Sequence, residues 1–174
     1  DDVGAGYKAT KYLLDNGAKK IALITTPNHV NVGALRRQGY EKALIENYIK
    51  TDPNLIVEID ENQDIKDQIE KVFDKDIDGV FAVNEIYAAN SMKIAKERGL
   101  NVPNDLSVIG FTDGLISEYS SPTITTMAQH GFTMGKQAVE LLIEKIEKET
   151  EAYKPKKIVI SSDLKLREST KPSS

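Results

Sequence analysis

Apolar residues recur at helical spacing in several segments of this chain and form short continuous runs between them. The first segment predicts a helix over residues 3–16, with an apolar face made of Val3, Tyr7, Thr10, Leu13 and Leu14. The same spacing predicts further helices around residues 35–44, 65–73 and 86–95. The runs between the helices predict buried strands at residues 20–25, 54–59, 79–83 and 107–111.

This alternation of strands and helices predicts the fold class. Strands that alternate with helices of such length are joined by right-handed crossovers, which give a parallel sheet between two layers of helices. The predicted fold class is therefore α/β, a doubly wound parallel-sheet lobe. Ligands of such sheets bind outside the carboxyl ends of the strands. Because Thr112 and Asp113 directly follow the strand at residues 107–111, we expect a binding site at that end of the sheet.

The last third of the chain has a different pattern. Residues 124–146 predict a strand followed by a long helix, whose apolar face contains Met134, Ala138, Leu141, Leu142 and Ile146. The charged residues 147–157 are typical of a solvated linker. Residues 158–166 predict one or two final strands, and residues 171–174 predict a disordered tail.

Composition narrows the possible functions. The 174 residues include 23 basic and 27 acidic side chains, a net charge of −4, without a dense basic cluster, so we expect no direct binding of nucleic acid by this chain. The chain has no cysteine, and its two histidines are His29 and His130, so neither a disulfide nor a metal site is predicted. No apolar run is long enough for a membrane span. We predict a cytoplasmic protein without a cofactor.

Several motifs resemble those of one known family. The run VPNDLSVIGF at residues 102–111 is similar to the signature of the effector-binding domain of bacterial transcription regulators of the lactose/galactose repressor (LacI/GalR) family. Further stretches at residues 9–24, 36–40, 82–85 and, with gaps, 124–169 follow in that family's order. Together they span nearly the whole chain. The resemblance implies a periplasmic-binding-protein-like fold of two lobes.

The same resemblance implies how the chain is divided. It places the carboxy-terminal lobe at residues 1–113, a strand and helix of the other lobe at 114–150, a linker and terminal strands at 151–170, and a tail at 171–174. Because the chain starts at Asp1 without methionine, we expect a DNA-binding helix-turn-helix and most of the other lobe to precede it. The helix within residues 124–149 would then lack most of its packing partners, and its exposed apolar face favours a homodimer, swapping of the helix between copies or a different position of the helix.

Effector contacts are also implied by the resemblance. Arg36, three residues before Gly39, matches the arginine that contacts the effector, and its planar guanidinium can hold two oxygens of a sugar or carboxylate. Asn84 follows the strand at residues 79–83 and matches the family's contact asparagine. The alternative interpretations are a solvated surface arginine and an asparagine that caps the next helix. The two roles of Asn84 are compatible.

Thr112 departs from the family pattern, which usually has an acidic residue directly after the aromatic one. Threonine is a neutral and weaker hydrogen-bond partner, so the usual two-oxygen contact with a sugar is not expected here. Asp113 either substitutes through a small backbone shift or only shapes the turn. His29, in the loop after the first strand, is another candidate for contact with the effector or is merely solvated.

Enzyme motifs are missing from the sequence. There is no GxGxxG after the first strand, no GxxxxGK[ST], no GxSxG and no HExxH, so no catalytic residue is assigned and we do not expect an enzyme. Neighbouring acids such as Asp1 and Asp2 are expected to be solvated. The predicted function is the sensing of a small polar effector, a carbohydrate or derivative, in a transcription regulator. The alternatives are a periplasmic sugar-binding protein of a transport system and, more distantly, a phosphate-handling hydrolase.

Overall fold

A computed structural model describes residues 1–147 and 154–172 of the chain. The helices within these residues are α1 (Asp2–Asp15), α2 (Asn31–Glu46), α3 (Ile65–Phe73), α4 (Glu85–Glu97), α5 (Leu115–Tyr119) and α6 (Gly131–Glu147). The strands are β1 (Ile21–Thr25), β2 (Ile56–Glu58), β3 (Gly79–Ala82), β4 (Ser107–Phe111), β5 (Thr125–Ala128) and β6 (Asp163–Lys165). A single 3-10 turn, Pro53–Leu55, precedes β2 in this part of the chain.

The strands form one sheet in the order β2-β1-β3-β4-β5-β6. Neighbouring strands from β2 to β5 are parallel, whereas β6 runs antiparallel to β5 at the edge. The order reverses at β1, because the chain moves from β1 outward to β2 and then returns to β3 on the other side. The predicted doubly wound parallel sheet is therefore confirmed.

Side chains of the central strands are buried on both faces of the sheet. Every residue of β1, β3 and β4 is buried, which explains why these strands read as continuous apolar runs in the sequence. Helix α1 packs against α2, and α3 packs against α4. The largest completely buried side chains in the core include Tyr40, Phe81 and Phe111.

Polar side chains cap three of the six described α-helices, α1, α3 and α4. Asp1 Oδ1 accepts a hydrogen bond from the Gly4 amide at 2.8 Å and caps α1, and Asp64 caps α3 in the same way. Helix α2 begins after Val30 without a side-chain cap. After the carboxyl end of α4, Gly99 has φ +73°, the left-handed conformation that lets the chain leave a helix.

The strand β5 corrects one sequence prediction. We expected the strand within residues 114–150 to belong to the other lobe, but β5 pairs in parallel with β4, with Ile109 opposite Thr125. The physical reason is that β5 has a complete set of partners in this sheet. The Thr125 amide donates to Ser169 Oγ at 2.9 Å, and the Thr125 hydroxyl lies 2.8 Å from that of Thr170.

Helix α6 has no buried residue along its described length. Its exposed apolar side chains include Phe132, Val139, Leu142, Ile143 and Ile146. The uncovered apolar face expected from the sequence is therefore present. Among the residues the structure describes, no helix combines the length and apolar character needed to cross a membrane.

The carboxy-terminal segment contains one strand, where one or two were predicted. Within residues 158–166, only Asp163–Lys165 forms a strand, because Ile158 and Val159 are exposed and have no neighbouring strand to pair with. The predicted linker lies partly outside the described residues, at positions 148–153, and so does the end of the tail at 173–174. The start of the tail is held in place, since the Tyr12 hydroxyl donates to the Lys171 carbonyl at 2.9 Å.

Candidate functional site

Polar residues follow the carboxyl ends of the parallel strands. The loop at residues 26–30 follows β1, Asn84 comes soon after β3, Thr112 follows β4 and Gln129 follows β5. Parallel strands end at the same edge of a sheet, so the fold brings these positions to one side of the molecule. This edge is the candidate functional site.

Arg36 connects two of these strand ends. Its Nη1 donates to the carbonyl oxygen of Val83 at 2.6 Å, next to Asn84, and its guanidinium carbon lies 3.4 Å from the centre of the Phe111 ring, next to Thr112. Its Nε donates to Asp2 Oδ1 at 2.9 Å. Arg36, Asn84 and Thr112 therefore come from distant parts of the sequence to one place.

The Arg36 side chain is nearly completely buried, with only 6% of the residue exposed. Burial lowers the pKa of its guanidinium, and the hydrogen bond and charge of Asp2 oppose that shift. Arginine is so basic that the group stays charged at neutral pH. The interpretation of Arg36 as a solvated surface residue is wrong. Its Nη2 makes no hydrogen bond within the described part of the chain.

Two glycines allow α2 to approach α1 closely enough to place Arg36. A Cβ at Gly6 would lie 2.2 Å from the Arg36 carbonyl oxygen, and a Cβ at Gly39 would lie 2.2 Å from the carbonyl oxygen of Val3. Any side chain at either position would push the helices apart. The spacing of Arg36 and Gly39 in the sequence therefore has a geometric reason. Gly39 allows α2 to pack closely on α1, and this packing positions Arg36.

Asn84 caps helix α4. Its Oδ1 accepts a hydrogen bond from the Tyr87 amide at 2.8 Å, which confirms the helix-cap interpretation. The Nδ2 donors have no partner among the residues described in the structure. Because the cap uses only the oxygen of the side chain, the two roles predicted for Asn84 are compatible.

Thr112 has φ +77°, an unusual conformation for a residue with a branched side chain. Its hydroxyl donates to Gln129 Oε1 at 3.0 Å and so links the ends of β4 and β5. The residue is exposed. It presents a neutral hydroxyl at this edge of the sheet.

Asp113 is engaged by two basic side chains. Lys165 Nζ lies 2.9 Å from its Oδ2, and Arg167 Nη2 pairs with its Oδ1. Burial raises the pKa of this carboxyl group, but the hydrogen bonds from Arg167 and Lys165 outweigh burial, and the pKa is lowered. The carboxylate is thus ionised, and both of its oxygens are bound within the protein. Neither of the two roles predicted for Asp113, replacement of the missing acid or shaping of the turn, included these contacts.

His29 makes no hydrogen bond with Arg36, Asn84 or Thr112 in the described structure. It is exposed and lines a hollow of about 530 Å³ beside Val30 and the ends of β1 and β2. A second hollow, of about 480 Å³, lies between the starts of α1 and α6 and is lined by Asp2, Leu35 and Gln129, among others. Both volumes are in the range of small-molecule sites.

Comparison with known proteins identifies the family of this chain. The profile described as "Periplasmic binding protein-like domain" matches residues 10–170. The chain belongs to this family. The HTH-type transcriptional repressor PurR of Histophilus somni is 36% identical over 169 residues, covering 95% of this chain and 50% of that protein. The HTH-type transcriptional regulator CelR of Thermobifida fusca is 30% identical over 174 residues, covering 97% and 50%.

Solved structures of regulators are also similar to this periplasmic-binding-protein-like domain. A complex of the transcriptional regulator CelR with cellobiose gives a TM-score of 0.90 at 29% identity, covering 97% of this chain and 52% of that one. A LacI family regulator from Enterococcus faecium with bound ribose gives 0.88 at 28% identity, covering 99% and 64%. The predicted resemblance is confirmed. The chain spans about half the length of the curated relatives it matches.

Two residues of this periplasmic-binding-protein-like domain were missed by sequence reasoning. Asp2, expected to be solvated, is the carboxylate partner of Arg36. Glu85 accepts hydrogen bonds from the amides of Gly114 and Ser117 through Oε1, at 3.1 and 2.7 Å, and so holds the start of α5. No sequence signal identifies Asp2, whereas the position of Glu85 directly after Asn84 placed it at the correct edge.

The arrangement is suited to the binding of a small polar molecule. The polar groups around Arg36 are one guanidinium, neutral amides and hydroxyls, and carboxylates that are already paired. No group of three or more metal-ligating acidic, histidine or cysteine side chains occurs within residues 1–147 and 154–172. Such an edge can recognise hydroxyl and carbonyl oxygens of a small polar molecule through directed hydrogen bonds.

Proposed function

We propose that this chain is the effector-sensing portion of a bacterial transcription regulator of the LacI type. The single observation behind the proposal is the position of Arg36, which reaches both the backbone before Asn84 and the ring before Thr112. The family membership and the regulators among its relatives support the same function. They favour it over a transport protein.

The effector is a small polar metabolite, a carbohydrate or a derivative of one. Arg36, Asn84 and Thr112 contact it at the sheet edge, with His29 at the border of the site. Asp113 acts from behind by holding the turn after β4, because its oxygens are bound to Lys165 and Arg167. Relatives solved with cellobiose and with ribose support a carbohydrate effector.

The mechanism is a population shift between two angles of the lobes. The effector binds between lobes, has a higher affinity for one angle and so changes the spacing of paired DNA-binding domains. DNA is contacted through those domains and not through this acidic chain. A protein with this task acts in the cytoplasm, where the DNA lies, and it has no catalytic role.

The partner protein is a second copy of the chain. Ile86, Leu115, Ile116 and Tyr119 form an exposed apolar patch at the contacting helices α4 and α5. Leu115 and Tyr119 are 72% and 78% exposed, which is typical of an interaction surface. The variant Tyr119→Asp is expected to lower the mass measured by light scattering from that of a dimer to that of a monomer. An unchanged mass argues against this surface.

A thermal-shift screen of neutral sugars on the full-length protein tests the effector-sensing function. A sugar at 100 times its Kd should stabilise the protein by about 2.7 kcal/mol and, for a protein about twice as long as this chain, raise Tm by roughly 4 °C. Arg36→Lys keeps the charge but loses the planar fork, so the rise in Tm should be largely lost. Arg98→Lys is the matched control, because Arg98 pairs with Glu70 and Asp74 at the carboxyl end of α4, away from the group around Arg36. Equal shifts in both variants would contradict the assignment of Arg36.

A further inference from the structure

Strand β2 lies at one edge of the sheet, and β1 is its neighbour on the inner side. The Ile59 amide, directly after β2, donates to the Thr25 carbonyl of β1 at 2.8 Å. Successive residues of a strand direct their backbone groups to alternate sides. The backbone groups of residues 56, 58 and 60 therefore point away from β1, toward a side on which the described residues form no further strand.

The chain itself satisfies some of these outward groups. The side-chain amide of Gln68 takes the place of a neighbouring strand, because its Oε1 accepts from the Asp60 amide at 2.8 Å and its Nε2 donates to the Asp60 carbonyl at 2.9 Å. The Ile56 amide donates to the Pro53 carbonyl. The carbonyl of Ile56 and both backbone groups of Glu58 have no partner among the described residues. Unpaired groups on an edge strand are a template for another strand.

A groove of about 360 Å³ lies beside this edge and is here called the β2 groove. Its lining residues are Asn54, Ile56, Val57, Glu58, Gln63, Gln68, Lys71, Val72 and Lys75. Ile56 and Val57 are half-buried and Val72 is buried, so the groove has apolar surface on which a side chain can pack. An unpaired edge beside such a groove can hold the backbone and the side chains of an extended peptide.

Two lysines give the β2 groove an unpaired positive charge. Lys71 in the last turn of α3 and Lys75 just after that helix are exposed, and neither makes an ion pair with a described residue. Glu58, the carboxylate among the lining residues, is paired with Arg37 at 2.8 Å. Because the whole chain has a net charge of −4, this local excess is opposite to the overall balance. It favours a partner with negative charge.

Acids near the groove are engaged elsewhere. Glu70 and Asp74 pair with Arg98. Asp64 and Asp52 accept hydrogen bonds from backbone amides at the starts of α3 and of the 3-10 turn. None of these acids lines the β2 groove. The unpaired charge in the groove itself is therefore positive.

We propose that the edge of β2 binds an extended acidic segment of another protein as an additional strand. The backbone of this segment pairs with Ile56 and Glu58, and its carboxylates lie beside Lys71 and Lys75. Because β2 offers only three unpaired outward groups, backbone pairing alone is weak and the charge must contribute to affinity. A second copy of this chain is a poor occupant, because its β2 would bring two more lysines to the same place.

Binding of synthetic peptides to the full-length protein, followed by fluorescence anisotropy, tests the inference. The probe is a labelled seven-residue peptide of alternating glutamate and valine, and a lysine–valine peptide reverses its charge. A third peptide keeps the glutamates, but its backbone nitrogens are methylated and cannot donate hydrogen bonds. The glutamate peptide is expected to bind at least about tenfold more tightly than either of the others.

Each of the other results contradicts a named part of the inference. Equal affinity of the lysine peptide overturns the role of charge, and equal affinity of the methylated peptide overturns the addition of a strand. Failure of the glutamate peptide to bind overturns the whole inference. Effector sensing is not affected by any of these results, because the β2 groove contains none of Arg36, Asn84 and Thr112.

Charge reversal in the protein locates the peptide. The double variant Lys71→Glu, Lys75→Glu should reverse the preference, so that the lysine peptide binds more tightly than the glutamate peptide. Both side chains are exposed, so the fold should tolerate the change. Lys93→Glu on α4 is the matched control, because Lys93 is exposed and does not line the groove. An unchanged preference in the double variant, or an equal change in the control, overturns the assignment.

Hydrogen exchange resolved to single residues checks the backbone pairing. The Glu58 amide points outward and should exchange on the order of tenfold more slowly when the glutamate peptide is bound. The Ile59 amide is already bonded to β1 and should exchange at the same rate with and without the peptide. Unchanged exchange at Glu58 under saturating peptide would show that the peptide binds elsewhere and would overturn the inference.

Discussion

Replacing Gly39 by alanine tests whether the close packing of α1 and α2 positions Arg36. A Cβ at Gly39 lies 2.2 Å from the Val3 carbonyl oxygen and 2.5 Å from the Tyr7 amide nitrogen. Non-bonded heavy atoms are comfortable at about 3.5 Å, so α1 and α2 must separate by about 1 Å. Both neighbours are backbone atoms and cannot rotate away. The displacement would move Arg36, whose carbonyl oxygen lies against Gly6 at the same helix crossing.

The cost of this substitution can be estimated from two opposing effects. Overpacking of a tight contact costs about 1–3 kcal/mol, and rigid backbone places Gly39→Ala at the upper end, about 3 kcal/mol. Alanine stabilises the interior of a helix by about 1 kcal/mol relative to glycine. We therefore expect a net loss of about 2 kcal/mol in the free energy of unfolding, which for a domain of this size lowers Tm by roughly 4–8 °C.

Urea denaturation followed by circular dichroism measures this loss. The control is Gly135→Ala in α6, where no atom lies within 4 Å of the new Cβ. That variant should be stabilised by up to about 1 kcal/mol, because only helix propensity changes. If Gly39→Ala is as stable as Gly135→Ala, the close crossing of α1 and α2 does not exist, and the explanation for the position of Arg36 fails with it.

Three further variants test individual contacts. Asp113→Asn should cost about 1 kcal/mol at pH 7. The lowered pKa of Asp113 stabilises the folded state above its ordinary pKa of about 3.9, and this contribution is lost as pH falls through the folded pKa, so thermal unfolding of variant and wild type should converge below that pKa. Asn84→Ala removes the cap of α4 and should cost about 1 kcal/mol in urea, whereas Asn84→Asp should retain most of it. Tyr40→Phe loses the 2.9 Å bond to the Ile21 carbonyl, and an unchanged urea midpoint, instead of a loss of about 1 kcal/mol, would contradict that bond.

Elements with strong local signals were predictable from the sequence. The strand β4 begins and ends at the predicted residues, and α1 differs from its prediction by one residue at each end. Both are set by local chemistry, namely a buried apolar run in the first case and a helical stripe beginning after the cap Asp1 in the second. The short helix α5 was not predicted, because it starts without a side-chain cap and depends on Glu85 from another element.

Contacts between distant segments could not be predicted from the sequence. Asp113 is separated by more than fifty residues from Lys165 and Arg167, and Arg36 by more than thirty from Asp2. Spacing along one helix or strand contains no information about such pairs. The edge of the sheet on which Arg36, Asn84 and Thr112 meet was predictable, because it follows from strand order alone. The burial and the hydrogen-bond partners of each side chain there were not predictable.

The network around Arg167 shows how effector binding could reach the rest of a two-lobed protein. Arg167 Nη1 donates to the Ile124 carbonyl at 2.9 Å and to Thr126 Oγ1 at 3.1 Å, while Nη2 pairs with Asp113. The segment between these contacts, residues 114–126, stays in this sheet, because it runs from β4 through α5 into β5. One guanidinium therefore ties both ends of that segment to the residues that follow β6. Since Arg167 holds both ends of residues 114–126, we expect this lobe to move as a rigid body when the lobe angle changes. Binding of an effector at the sheet edge would then be transmitted by movement of the whole lobe.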